Sequence, residues 1–538
     1  MSSAPPASPP PADLAALARG GRINFLGFCV RLAARLPFLF IAGRIYGAEA
    51  LGRFAYAVLI VEFAAQLSTL GLKRGLAQQL AHTDKPHVCV VWDGLLVAAP
   101  GAVFFMSLLM IFPQAMFPNS EITGLEWLLP ITIIALAWSD IMLAALAYRN
   151  DITSTVRARA IVEPIIISAA ALAWAYISTR DGLIIAYVLS MVGALIASII
   201  PFVRSYGLPR DWRPDPATLW TMARRNIPVA AADAVEWGSR RVDSAVLGLF
   251  FSPAVVGIYY VAQNVASLPS KLKTSFDPIL GPVIARNLKD GDNRAVAKQV
   301  RQVGFWVIGA QLGVALALGI TGEAVMGLIG PAFVAGTAAL VFLLAAEVVA
   351  AMAAVSEAAL IYVARHRNML ISLAMLVLEA GLAVAIILAM RQFDLPVMWQ
   401  ATGPAIGLML ALGFAAIVKS RLLCSILGAR VNGWRWPLVW AAAAAGVVGY
   451  LATLLPEWAE LLFGIPAILI AFGAVLWTKG FGPEDRELFR MSRRKSSSQV
   501  IDGECLQVLC TRKTNRGSGR GGCHDSTSLY AMTPRAGI

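Results

Sequence analysis

The sequence predicts an all-α, polytopic membrane protein, and three observations carry that expectation. Of 538 residues, 58% are hydrophobic and 14% charged, with a mean hydropathy of +0.69. Soluble domains run at about 45–50% apolar and about 25% charged. The apolar stretches recur from about residue 23 to about residue 477 instead of forming one anchor. Basic residues, finally, gather in alternate connections, as spans of alternating direction require.

Runs of about 20 apolar residues cross a bilayer as helices, because only a helix satisfies its own backbone hydrogen bonds there. Such runs place helices near 22–44, 51–72, 88–112, 125–148, 158–178 and 182–203. A polar connection with Pro209, Pro214 and Pro216 follows. Further helices fall near 226–250, 255–276, 301–320, 336–363, 369–390, 400–423, 435–455 and 458–478, which makes about 14. The expected organisation is a disordered cytosolic tail over 1–18, a six-helix bundle over 19–203 and a cytosolic connection over 204–225. A second six-helix bundle over 226–424, two extra helices over 425–478 and a basic, disordered cytosolic tail over 479–538 complete it. Ser2 to Pro11 holds five prolines and lacks the charged start and short apolar core of a signal peptide.

The net charge of +13 does not imply a nucleic-acid partner, because its location explains it. With the N-terminus inside, 26 basic residues before position 479 fall on the cytosolic side, Lys73, Arg74, Arg159 and Lys419 among them. Only Arg44, Arg53, Arg180 and Arg391 fall opposite. That asymmetry predicts both termini in the cytoplasm. Cysteines give no disulfide framework: Cys29, Cys89 and Cys424 lie in or beside apolar spans, and Cys505, Cys510 and Cys523 in the tail. The sequence holds neither a phosphate-binding GxxxxGK[ST] loop nor an HExxH pair, so no cofactor and no metal are expected. Every connection on the outer side is short, leaving no domain there for catalysis.

One internal repeat stands out. Gly47 to Tyr56 (GAEALGRFAY) and Ser252 to Val261 (SPAVVGIYYV) match at an offset of 205, and Arg35 falls on Arg240 at the same offset. The repeat implies two half-bundles in the same orientation, related by a pseudo-two-fold axis, with a substrate path between them.

Charges within the apolar spans are the candidate functional residues, because each costs about 2.5–3.5 kcal/mol at mid-bilayer. The first span carries Arg31 and Arg35; the seventh carries Asp233, Glu236, Arg240, Arg241 and Asp243. Helical spacing puts Asp233, Glu236, Arg240 and Asp243 on one stripe, with Glu236 placed to pair with Arg240. A guanidinium keeps its charge at any accessible pH and grips phosphate bidentately. Arg31, Arg35, Arg240 and Arg241 are therefore expected to bind an anionic substrate, against the alternative that each only pairs with a helical neighbour. Asp233, Glu236 and Asp243 are the candidates for ion coupling. Glu62, Asp140, Glu163, Glu347, Glu357 and Glu379 are scattered acids in or near spans, and Tyr259 and Tyr260 read as interfacial aromatics.

Several segments resemble one family. Arg19 to Asn24 (RGGRIN), Arg44 to Phe54 and Leu70 to Gly75 look like the start of a bacterial polysaccharide or O-antigen flippase. These are the Wzx-type translocases, in the polysaccharide transporter family of the multidrug/oligosaccharidyl-lipid/polysaccharide superfamily. Asn226 to Pro228, Arg241 to Asp243, Val256 to Tyr259 and Phe276 to Arg286 are similar to that family's second half. The resemblance covers about residues 19 to 424. It implies a non-enzymatic flippase of the bacterial inner membrane. Its substrate would be an undecaprenyl-pyrophosphate-linked oligosaccharide for lipopolysaccharide or other polysaccharide synthesis, with a polymerase or chain-length machinery as partner. It also implies a cationic central cavity, for which the four arginines are the matching positions. Two other readings stand beside it: a cation-coupled drug or metabolite exporter of the same superfamily, and a membrane-embedded glycan polymerase or ligase.

Overall fold

The computed structural model describes residues 36–210, 212–273, 284, 287, 288 and 291–482. Among them every regular element is a helix, and nine helices are long and apolar enough to cross a membrane. The all-α polytopic class is therefore as expected; beside the nine, the described residues hold a shorter apolar helix, Pro437–Ala452, within one of the about 14 predicted spans. Arg31, Arg35, the tail over 1–18 and most of 479–538 lie outside the described residues. The chain divides at Leu476 into two compact units; in the second, the rings of Trp477 and Phe481 lie 5.4 Å apart.

The main helices are α1 (Gly47–Ser68), α2 (Leu72–Ala81), α3 (His87–Ile111), α4 (Thr132–Tyr148), α5 (Glu163–Trp174) and α6 (Gly182–Tyr206). They continue with α7 (Pro216–Gly238), α8 (Val242–Phe250), α9 (Pro253–Ala266), α10 (Asn293–Ile320) and α11 (Thr337–Val363). The last four are α12 (Arg365–Gln392), α13 (Gly403–Leu427), α14 (Pro437–Ala452) and α15 (Ile465–Val475). Lipid is as apolar as leucine, so helices in a bilayer associate through close packing and small residues more than through hydrophobic burial. The buried positions of α11 and α13, which pack along each other, accordingly include Ala346, Ala351, Ala354, Ala405, Ala411 and Ala415. One continuous apolar core runs through Leu51, Val61, Ile133, Tyr259, Val261 and Leu340.

Three departures from the predicted elements matter for function. The connection expected over 204–225 shrinks, because α6 runs to Tyr206 and α7 starts at Pro216. Asp215 caps α7, accepting from the amides of Ala217 and Thr218 and from the Thr218 hydroxyl at 2.6 Å. That hydroxyl, with the two amides, holds the carboxyl below its ordinary range.

Second, residues 72–81 form a helix and not a loop. Leu70 (φ +46°) and Gly71 (φ +70°) turn the chain in the left-handed region, and α2 then buries Leu72, Leu76 and Leu80 along one face. Gly71 and Gly75 let α2 approach α7: a Cβ on Gly71 would lie 2.7 Å from the Ala230 amide nitrogen, and one on Gly75 would lie 2.0 Å from Asn226 Oδ1. Third, the predicted seventh helix breaks between Gly238 and Val242.

The repeated segments meet each other. A Cβ on Gly52 would fall 1.7 Å from the carbonyl oxygen of Pro253, and one on Gly257 would fall 1.9 Å from that of Ala48. Since Ala48 and Pro253 are themselves 205 residues apart, the contact is reciprocal, as a local two-fold axis demands. Near it, Asn119 Nδ2 donates to the Gly248 and Phe251 carbonyls, both at 2.9 Å, closing the C-terminal end of α8.

The four basic residues that break the charge asymmetry are all held by acceptors. Arg44 donates to Leu328 O at 2.9 Å and Arg391 to Phe250 O at 2.8 Å. Arg53 and Arg180 both reach Glu121 O, at 3.0 Å each, and share the buried Glu126 carboxylate at 2.7 and 3.2 Å.

Candidate functional site

The break in the seventh span builds the site. Gly238 and Ser239 are weak helix formers, and the Ser239 hydroxyl donates to Glu236 O at 2.9 Å, which competes with the helical ladder. Arg240 N and Arg241 N turn back onto Trp237 O and Gly238 O, and α8 restarts at Val242. Two consecutive arginines therefore occupy an unwound turn between α7 and α8. Discontinuous helices of this kind are where membrane transporters place polar chemistry.

Arg241 reaches Glu62 of α1 at 3.7 Å, and its guanidinium lies 5.8 Å from the centre of the Trp237 ring. Trp237 in turn stacks on Phe63 at 4.9 Å, so this end of α7 faces α1. Arg240 pairs with Glu236 at 3.7 Å and leaves 68% of its side chain exposed. Arg74 comes across from α2 and meets Glu236 at 2.7 Å and the buried Asp233 at 3.0 Å.

The structure thus gathers Asp233, Glu236, Arg240 and Arg241 in one region and removes Asp243 from it. The single stripe is corrected: the unwound turn interrupts the helical period, and Asp243 points instead into the packing between α8, α9 and α12. There it is fully buried, accepting from the Tyr259 hydroxyl at 2.7 Å and from Gln263 Nε2 at 3.1 Å. Tyr259 is a buried partner of an acid and not an interfacial aromatic. Glu379 of α12, fully buried, lies within electrostatic reach of Asp243.

Among the described residues the charges of the arginine region balance. Arg74, Arg240 and Arg241 face Asp233, Glu236 and Glu62. A cationic excess would have to come from Arg31 and Arg35, which lie outside the described residues.

Four basic residues assigned to cytosolic connections sit in ion-paired positions within the helices. Arg74 is one. Arg159, in a π-turn over Arg157–Val162, bonds Asp140, Ser139 Oγ at 2.7 Å and Glu163 at 3.2 Å, and Lys73 meets the same Asp140 at 3.0 Å. Lys419, almost fully buried in α13, meets Glu357 at 3.3 Å and Ser372 at 3.0 Å. Leu72, Leu76 and Leu80 at four-residue spacing carried the signal for α2, and hence for Arg74.

The polysaccharide biosynthesis protein family matches residues 41–322, more than half of the chain. The chain belongs to that family. The match runs from just before the π-helical turn that precedes α1 to just past the end of α10, so it contains Arg74, the α7–α8 break and Asp243. No curated protein matches this family member. Among solved structures it is similar to the lipid II flippase MurJ in an inward closed conformation. The TM-score is 0.64 at 12% identity, covering 84% of this chain and 99% of that one. It is also similar to an inward-facing multidrug resistance MATE family transporter of the MOP superfamily, with a TM-score of 0.58 at 15% identity, over 74% and 98% of the two chains. An outward-facing MATE family transporter gives 0.52 at 15% identity, over 77% and 95%. These likenesses establish a shared polytopic fold.

Proposed function

We propose that this family member flips a lipid-linked oligosaccharide, joined to its lipid through a diphosphate, from the cytoplasmic to the outer leaflet of the bacterial inner membrane. The observation that carries the reading is the pair Arg240 and Arg241 at the unwound turn between α7 and α8, set among the helices of a polytopic bundle. Two bundles, over 19–203 and 226–424, would rock about the site in alternating access. Arg240 and Arg241, joined by Arg31 and Arg35 from the first span, hold the diphosphate while the lipid tail stays in the bilayer. Both termini lie in the cytoplasm. The Gly52–Gly257 contact then closes the outer end, since Arg44, Arg180 and Arg391 mark that side by their scarcity. Asp243, with Glu379 beside it, replaces Asp233 and Glu236 as the preferred coupling group, because Asp233 and Glu236 already neutralise Arg74.

Alanine at Arg240 or Arg241 is expected to abolish complementation of a strain lacking its surface-glycan flippase, with lysine restoring only part of it. Asp243→Asn is expected to retain substrate binding while losing ion-driven accumulation. Full complementation by both alanine variants would remove the arginine site. The exporter reading is favoured by one observation, the buried Asp243 and Glu379 beside a fold shared with MATE transporters. Drug efflux from cells that express the chain, without any change in surface glycan, would establish that reading instead.

A further inference from the structure

Glu236 holds two guanidiniums at once. Its Oε2 meets Arg74 at 2.7 Å and its Oε1 faces Arg240 at 3.7 Å. Arg74 stands on α2 and Arg240 just beyond α7, so the carboxylate ties elements from the two sides of the site. The three side chains keep 48–68% of their surface exposed, so an incoming ligand can reach all of them. Asp233, buried on the same helix as Glu236, also meets Arg74, at 3.0 Å. A carboxylate hydrogen-bonded to one arginine and ion-paired with a second stands where a phosphate would, with less charge and fewer oxygens.

We infer that Glu236 stands where a phosphate of the ligand binds, and that Arg74 is one of the residues that binds the incoming diphosphate. The exchange has a direction. Arg240 is the weaker and more exposed partner, so it makes the first contact. A second phosphate then draws Arg74 off Glu236 and Asp233, and because those pairs link α2 to α7, the ligand loosens the crossing held by Gly71 and Gly75. A monophosphate can satisfy one guanidinium but leaves the link in place, so the device selects for two joined phosphates. This inference rests on the arginine-site reading above and extends it.

The test uses the full chain in lipid nanodiscs with farnesyl diphosphate, farnesyl monophosphate and inorganic pyrophosphate as probes. Glu236→Gln removes the competing anion while keeping the side chain's shape, and is expected to tighten farnesyl diphosphate binding by about three- to tenfold. Arg74→Ala is expected to weaken it by about tenfold. Unchanged or weaker binding in Glu236→Gln overturns the inference, as does equal affinity for the mono- and diphosphate. Pyrophosphate is expected to show the same order of variants; the reverse order counts against it. No diphosphate binding by the wild type, or full binding by Arg240→Ala and Arg241→Ala, overturns the arginine site itself. A second measurement needs no change at Glu236: spin labels at the exposed Gln78 of α2 and Arg225 of α7, with the native cysteines replaced, are expected to move apart when farnesyl diphosphate is added. An unaltered distance at saturating ligand contradicts the loosened crossing.

Discussion

Alanine at Gly52 is expected to destabilise the protein by about 1–3 kcal/mol or more and to lower its folded yield in membranes. The new Cβ would sit 1.7 Å from the Pro253 carbonyl oxygen and 2.6 Å from the Gly257 amide nitrogen. Both obstacles are backbone, so no side-chain rotation relieves them. Carbon and carbonyl oxygen settle at about 3.3–3.6 Å, and α1 and α9 would have to part by more than 1 Å along their whole contact to restore that spacing. In lipid this separation loses packing that apolar solvation does not return. Gly446 is the control. A Cβ there meets nothing within 4 Å, so Gly446→Ala in α14 should be neutral or stabilising by up to about 1 kcal/mol. Thermal unfolding of the purified variants, followed by size-exclusion fluorescence, checks both. An unchanged midpoint for Gly52→Ala would show that the two repeats do not meet in this way.

The second large effect is expected at Arg159. Its guanidinium serves Asp140 and Glu163, and Lys73 supports Asp140 from a half-exposed position. Arg159→Met leaves the Asp140 carboxylate facing only that lysine; losing one partner costs about 3–5 kcal/mol in a fully buried pair, and this part-buried network is expected to lose about 2–3 kcal/mol. Asp140→Leu combined with Arg159→Met removes both charges and should recover most of the loss, because apolar replacement of a buried pair is often neutral. A double-mutant cycle on unfolding midpoints measures the coupling, and additive losses would show that the two groups do not depend on each other.

Fold class was legible because hydropathy and span length are properties of whole segments, and averaging over about 20 residues suppresses local exceptions. The same averaging hid the features that shape the site. The stretch over 226–250 reads as one helix despite its five charges, while Gly238 and Ser239 break it in two, and assuming an unbroken 3.6-residue period put Asp243 on the wrong face. Arg74 and Lys73 were counted as loop charges because Gly71 looked like the end of a span; it is a left-handed turn leading into another helix. Lys419 and Arg159 read in sequence as charges of connections and stand in ion pairs within helices, since a charge near the end of an apolar run can anchor at the interface or turn inward to a partner. Deciding between them requires knowing that Glu357 and Asp140 lie opposite, which is tertiary information. The repeat at offset 205 was legible as sequence, but that its two copies touch was not.

That touching pair is built as a homodimer interface is built. In an isologous contact the same patch serves both partners, residue i against j and j against i, as Gly52 and Pro253 mirror Gly257 and Ala48. Two such patches on one chain no longer need to stay identical, and the flanking residues have already diverged, Glu49 standing opposite Ala254 in the repeat and Arg53 opposite Ile258. The glycines have not diverged, because each is the surface the other copy rests on. Neither copy can acquire a side chain there without the other's backbone giving way.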